Sequence, residues 1–141
     1  MTFTNFQKTT LGIAGVTALG IGMAILVAPH AFYASYGIAL GEDPNLLSEL
    51  RAPAAALAAL GTCMMMGIWL EAWRNISIAA AFIVFFAFPA GRIVGLVVDG
   101  IPTGSIIGAL LVEIIIATLC LAAFTRRPWA SKPRRRSPKP A

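Results

Sequence analysis

Charge is scarce in this chain. Only 12% of its 141 residues are Asp, Glu, Lys or Arg, and the two acidic types together number six, against roughly 25% charged residues in ordinary soluble domains. Histidine occurs once and cysteine twice. His30 has no carboxylate or cysteine at ligand spacing, so it reads as an interfacial residue rather than a metal ligand. Cys63 and Cys120 fall inside apolar runs, at depths that differ by roughly 8 Å if each helix rises 1.5 Å per residue. That argues against a disulfide. Neither thiol has the neighbouring histidine that nucleophilic chemistry wants, so both read as small apolar packers. Glycine-rich phosphate loops, nucleophile elbows and zinc signatures are missing, so no cofactor is implied and an enzyme is not expected. The period-two alternation of a membrane barrel is missing as well.

What is present in quantity is apolar. Hydrophobic residues make up 58% of the chain and the mean hydropathy is +0.81. Apolar stretches reach the length of about 20 residues that a bilayer-spanning helix requires. Four of them predict an all-α polytopic membrane protein, an antiparallel bundle of transmembrane helices at about 10–28, 52–73, 76–98 and 104–124. The apolar part of the second ends at Trp69, followed by a polar exit of Glu71, Trp73, Arg74 and Asn75. Backbone polar groups inside lipid must be satisfied within the segment, which makes each span a helix.

Basic residues in the short connections set orientation. Lys8, Arg74 and the tail residues Arg126, Arg127, Lys132, Arg134, Arg135, Arg136 and Lys139 predict cytoplasmic amino and carboxyl termini. The other two connections carry Glu42, Asp43, Glu49 and Asp99 against Arg51 alone, and face the opposite side. Phe32, Tyr33 and Tyr36 then lie at the outer interface, with Trp69, Trp73 and Trp129 at the inner one. A signal peptide is the rival reading of the first span; its long apolar run and lack of a small-x-small cleavage pattern speak against it. Residues 126–141 are rich in proline and arginine, which predicts a disordered cytoplasmic tail. The tail fixes topology and offers attachment to anionic membrane lipids. It supplies the net charge of +5 and does not amount to a nucleic-acid-binding domain.

Small residues recur four apart, a spacing that lets helix backbones approach in lipid. Ala14, Ala18 and Gly22 form one stripe, Ala52, Ala55, Ala59 and Cys63 another, with Gly91 and Gly95, then Gly104 and Gly108, on the last two helices. They predict a compact bundle or an oligomer.

The informative residues are the ionisable ones at membrane depth, because a charge at a helix centre costs about 2.5–3.5 kcal/mol and usually faces a partner. Arg92 lies seven residues below Asp99, about 10 Å, and Glu113 nine residues below Gly104, about 14 Å. An Arg92–Glu113 ion pair between the third and fourth helices is predicted. Asp99 shares a helix face with Arg92, and Glu49 and Arg51 at the start of the second helix could close the same site. Five ionisable groups are thus expected around one outward-facing polar pocket. Pro89 removes a backbone donor just before Gly91 and Arg92 and predicts a kink there. The competing interpretation is a buried pair that only orients helices.

Several short motifs resemble a bacterial family of small four-helix inner-membrane proteins, domain of unknown function 4345. They are Pro29, Phe32, Tyr33, Tyr36 and Gly37; Ser48, Glu49, Leu50, Arg51 and Ala52; Gly91, Arg92, Asp99, Gly100 and Pro102; and Glu113. The resemblance covers roughly residues 11 to 124. Members of that family often carry a glycine after the arginine, alanine and proline, where Ala54 and Ala55 stand in this chain. The resemblance implies a fold and a location and brings no reaction.

Two function classes follow. One is a binding or accessory protein whose pocket holds a lipid head group, a small metabolite or a partner subunit. The other is a small oligomeric proton- or ion-coupled transporter or channel. Transport requires a polar path past Glu113, and the next residues, Ile114 to Leu119, include only Thr118 as a polar group. That favours binding.

Overall fold

The computed structural model describes residues 3–125, so the tail expectation lies outside the described residues. Five α-helices follow one another: α1 (Asn5–Val27), the short α2 (Pro29–Ala34), α3 (Pro44–Trp69), α4 (Arg74–Val98) and α5 (Gly104–Phe124), with a 3₁₀ turn at Glu71–Trp73. Four are long and apolar enough to cross a membrane: α1, α3, the turn plus α4, and α5. Only 22–39% of the most apolar stretch of each is buried inside the bundle. The remaining apolar surface, Val16, Ile83, Val94 and Ile115 among it, is the surface a lipid solvent would cover.

Two helices begin earlier than hydropathy indicates, because polar capping rather than apolar content starts a helix. At α1, Thr4 and Gln7 form a reciprocal capping box, Gln7 N–H donating to Thr4 Oγ1 and Thr4 N–H to Gln7 Oε1. The helix therefore starts at Asn5 and not near residue 10. Asp43 caps α3 by accepting from Asn45 N–H, with Pro44 in the first turn. This places Glu49 and Arg51 inside the helix rather than at its cap, about two turns ahead of the expected start at 52. The same helix stops at Trp69, short of 73. Pro89 is buried within an α4 that stays helical through Gly91 and Arg92.

The core runs along the end of the bundle that carries both ends of the described chain. Leu11, Ala14, Met64, Ala81 and Cys120 are almost fully enclosed there. Phe3 packs edge-on against Phe124, with ring centroids 5.9 Å apart, and Gln7 Nε2 donates to the Ala123 carbonyl. Both ends of the described chain thus lie on one side.

α1 and α3 meet backbone to backbone. A Cβ on Gly22 would stand 2.6 Å from both the Ala54 carbonyl oxygen and the Ala58 nitrogen, and one on Gly61 would strike the Leu19 nitrogen. The α1 stripe is therefore an interface, with Ala14, Ala18 and Gly22 all buried. On α3 the expected stripe is in the wrong phase. Ala52, Ala55 and Ala59 are exposed and Cys63 is half-buried, while Ala54, Ala58 and Gly61 make the contact. Alanine occupies both phases of this helix, and the larger Leu57 and Met64 decide which one turns inward.

Candidate functional site

The buried faces of α4 and α5 each end in an ionisable residue. On α5 the stripe Cys120, Ala117 and Ile116 continues to Glu113, and on α4 the stripe Ala81, Phe85 and Pro89 continues to Arg92. Arg92 Nε donates to both carboxylate oxygens of Glu113 at 3.0 Å, so the predicted ion pair is formed. The Glu113 side chain is 9% exposed and that of Arg92 29%. Arginine carries five N–H donors. The four on its two terminal nitrogens make no hydrogen bond among the described residues.

Past this pair the bundle is hollow. A cavity of about 490 Å³ lies between all four long helices, with Arg92 and Glu113 on its wall. Leu57, Val84 and Phe85 line it toward the core, and Leu50, Pro53 and Ile25 line it nearer the loops. Phe32, Tyr33, Tyr36 and Ile38 line its loop end and cover it in part. These aromatics belong to α2 and the turn after it, and are more than an interfacial belt. Pro29 starts the short helix, which ends at Ala34, and Gly37 closes the turn after it at φ +77°, a left-handed conformation suited to glycine. Thr103 Oγ1 donates to the Tyr36 carbonyl and fastens this cover to the start of α5. The Pro29 and Gly37 pattern is the signal that could have placed a separate covering helix here.

The expected five-residue cluster is not assembled. Asp99 lines a separate, smaller groove between α4 and α5, together with Gly95 and Leu96. Arg92 and Ile106 border both spaces. Glu49 is exposed, and Arg51 lines a shallow groove with Leu26, Pro44 and Ala55 on another face. The reason is rotational: successive helix residues turn by about 100°, so once Leu50 points into the cavity its two neighbours cannot. His30 Nε2 lies 3.5 Å from Glu42 Oε1, without hydrogen-bond alignment, at the loop end. No group of three metal-ligating side chains occurs among the described residues.

Thr17, also on the cavity wall, was not anticipated. Thr10, Thr62, Thr118 and Thr125 each donate their hydroxyl to the carbonyl four residues back. Thr17 makes no such bond among the described residues.

A family model described as Domain of unknown function (DUF4345) matches residues 6–124. No curated protein and no solved structure matches the chain. The chain belongs to the DUF4345 family.

Proposed function

We propose that this member of the DUF4345 family is a membrane-embedded binding protein that holds a small molecule in the partly covered cavity between its helices. The observation that carries the reading is an arginine that engages one of its N–H groups with Glu113, leaves the other four unbonded among the described residues, and lines a space of about 490 Å³. That volume lies within the roughly 300–1,000 Å³ typical of small-molecule sites, and an apolar lining with a few polar groups is their usual composition. A pair that served only to orient helices would need no such space beside it.

Transport is the weaker reading, because the cavity ends against the apolar core. Beyond the cavity lie Ile116, Ala117 and Cys120, faced by Leu11, Met64 and Ala81, all buried. The two buried hydroxyls on that side are already used, Thr10 on the Phe6 carbonyl and Ser77 on the Arg74 carbonyl. We place the protein in a bacterial inner membrane with both termini cytoplasmic. Lys8 and Arg74 at one end, and Glu42, Asp43 and Asp99 at the other, support that orientation. The cavity then lies in the outer half of the bilayer.

Native mass spectrometry of the gently extracted protein tests this. The wild type is expected to carry a small-molecule mass that is lost in Arg92→Ala and in Ala109→Leu, which fills the cavity and leaves the ion pair intact. A wild type that is empty but holds a stoichiometric partner chain would overturn the proposal and make the protein an accessory subunit.

A further inference from the structure

Resting on that reading, we infer that the cavity selects an uncharged, mostly apolar molecule bearing carbonyl-type acceptors, such as an ester or a quinone, over a free carboxylate or a phosphate.

The first argument is charge. Among the described residues, Arg92 and Glu113 are the only charged ones lining the cavity, and they neutralise each other at 3.0 Å. An anion approaching the free end of Arg92 also approaches the Glu113 carboxylate, in surroundings where like charges repel far more strongly than in water. A cation meets the opposite problem at Arg92. A neutral ligand meets neither.

The second argument is hydrogen-bonding capacity. Four N–H groups of Arg92, a donor-only side chain on the cavity wall, are unbonded within the described residues, while Thr17, Tyr33 and Tyr36 on the same wall carry hydroxyls that both donate and accept. Each Glu113 oxygen already accepts from Arg92 Nε. A guanidinium donates and cannot accept, so the molecule that completes this wall must bring acceptors of its own. Carbonyl oxygens do so without a charge.

The third argument is shape. Ile21, Leu57, Val84, Phe85 and Phe88 offer nothing polar to the deeper part of the space. One chain or one ring system fits there; the two chains of a bilayer phospholipid do not.

A matched pair of photoactivatable probes provides the test: a sixteen-carbon diazirine fatty acid and its methyl ester, each at equal mole fraction in nanodiscs holding the full chain. Labelling is read by intact mass and mapped to peptides containing residues 84–92 and 106–113. The ester is expected to label wild type at least tenfold more efficiently than the acid. Glu113→Gln preserves a hydrogen-bonding partner for Arg92 and leaves the cavity with one net positive charge, so it is expected to reverse the preference toward the acid. Preferential labelling by the acid in wild type would overturn the ligand class and leave the binding site standing. An ester preference that Glu113→Gln does not change would overturn the charge argument. Labelling of the cavity peptides by neither probe, in either protein, would overturn this inference and the binding reading together.

Discussion

The helix pairs α1/α3 and α4/α5 carry the same kind of sequence pattern and come to opposite results. Gly22 and Gly61 bring the backbones of α1 and α3 together so closely that a single methyl group would collide with main-chain atoms. Gly91, Gly104 and Gly108 on α4 and α5 would accept a Cβ with nothing within 4 Å, and Gly95 would meet only the Asp99 carboxylate, at 3.7 Å. Small residues four apart permit close approach without requiring it. What separates the pairs is the content of the interface. Between α4 and α5 stand an arginine and a glutamate, whose long side chains span the gap that becomes the cavity wall. One pair is joined by contact and the other by charge.

The largest effect is expected from breaking the charged joint on one side only. Glu113→Leu leaves Arg92 unpaired in a low-dielectric site, a change that typically costs about 3–5 kcal/mol. The double variant Arg92→Leu with Glu113→Leu removes both charges and is expected to recover most of that loss, since apolar replacement of a buried pair is often near neutral. Thermal midpoints in detergent, followed by tryptophan fluorescence, check the order wild type and double variant above single variant. A single variant as stable as wild type would mean that the α4/α5 pair does not depend on charge.

Next in size is the contact joint. Gly22→Ala forces its methyl group against the Ala54 carbonyl and the Ala58 nitrogen, which are backbone and cannot rotate away. Overpacking of this kind costs roughly 1–3 kcal/mol, read as a lower midpoint in the same assay. The matching change on the other pair has the opposite sign. Gly108→Ala meets open space, and an alanine in a helix interior gains about 0.5–1 kcal/mol over glycine. Equal signs for the two variants would erase the distinction between the pairs.

Much of this arrangement was legible in the order of residues. Four long apolar runs left little choice of fold, and counting back from Asp99 and Gly104 set Arg92 and Glu113 at similar depth on neighbouring antiparallel helices. Helix starts were hidden, because hydropathy registers apolar content whereas Thr4 with Gln7, and Asp43 with Pro44, act through polar caps. The phase of α3 was hidden too, since an alanine run looks alike from every side. The covering role of Phe32, Tyr33 and Tyr36 depends on the chain folding back at Gly37, and a cavity is a property of three dimensions that no linear spacing encodes.

The smallest predicted effect bears on that last point. Glu49 and Arg51 flank Leu50, the residue on their turn of α3 that reaches the cavity. Proximity in sequence made them candidates for the site, yet both are exposed, and Arg51 opens onto a different groove. Substitutions at such positions usually fall within about 0.5 kcal/mol of neutral. Glu49→Gln and Arg51→Gln are therefore expected to leave both the thermal midpoint and probe labelling at the wild-type level, while Leu50→Gln, facing the cavity, lowers labelling by the ester. If Arg51→Gln reduced labelling as much as Leu50→Gln, the groove beside Leu26 would have to be continuous with the binding site. The distinction between a closed α1/α3 face and an open α4/α5 face would then fail at the start of α3.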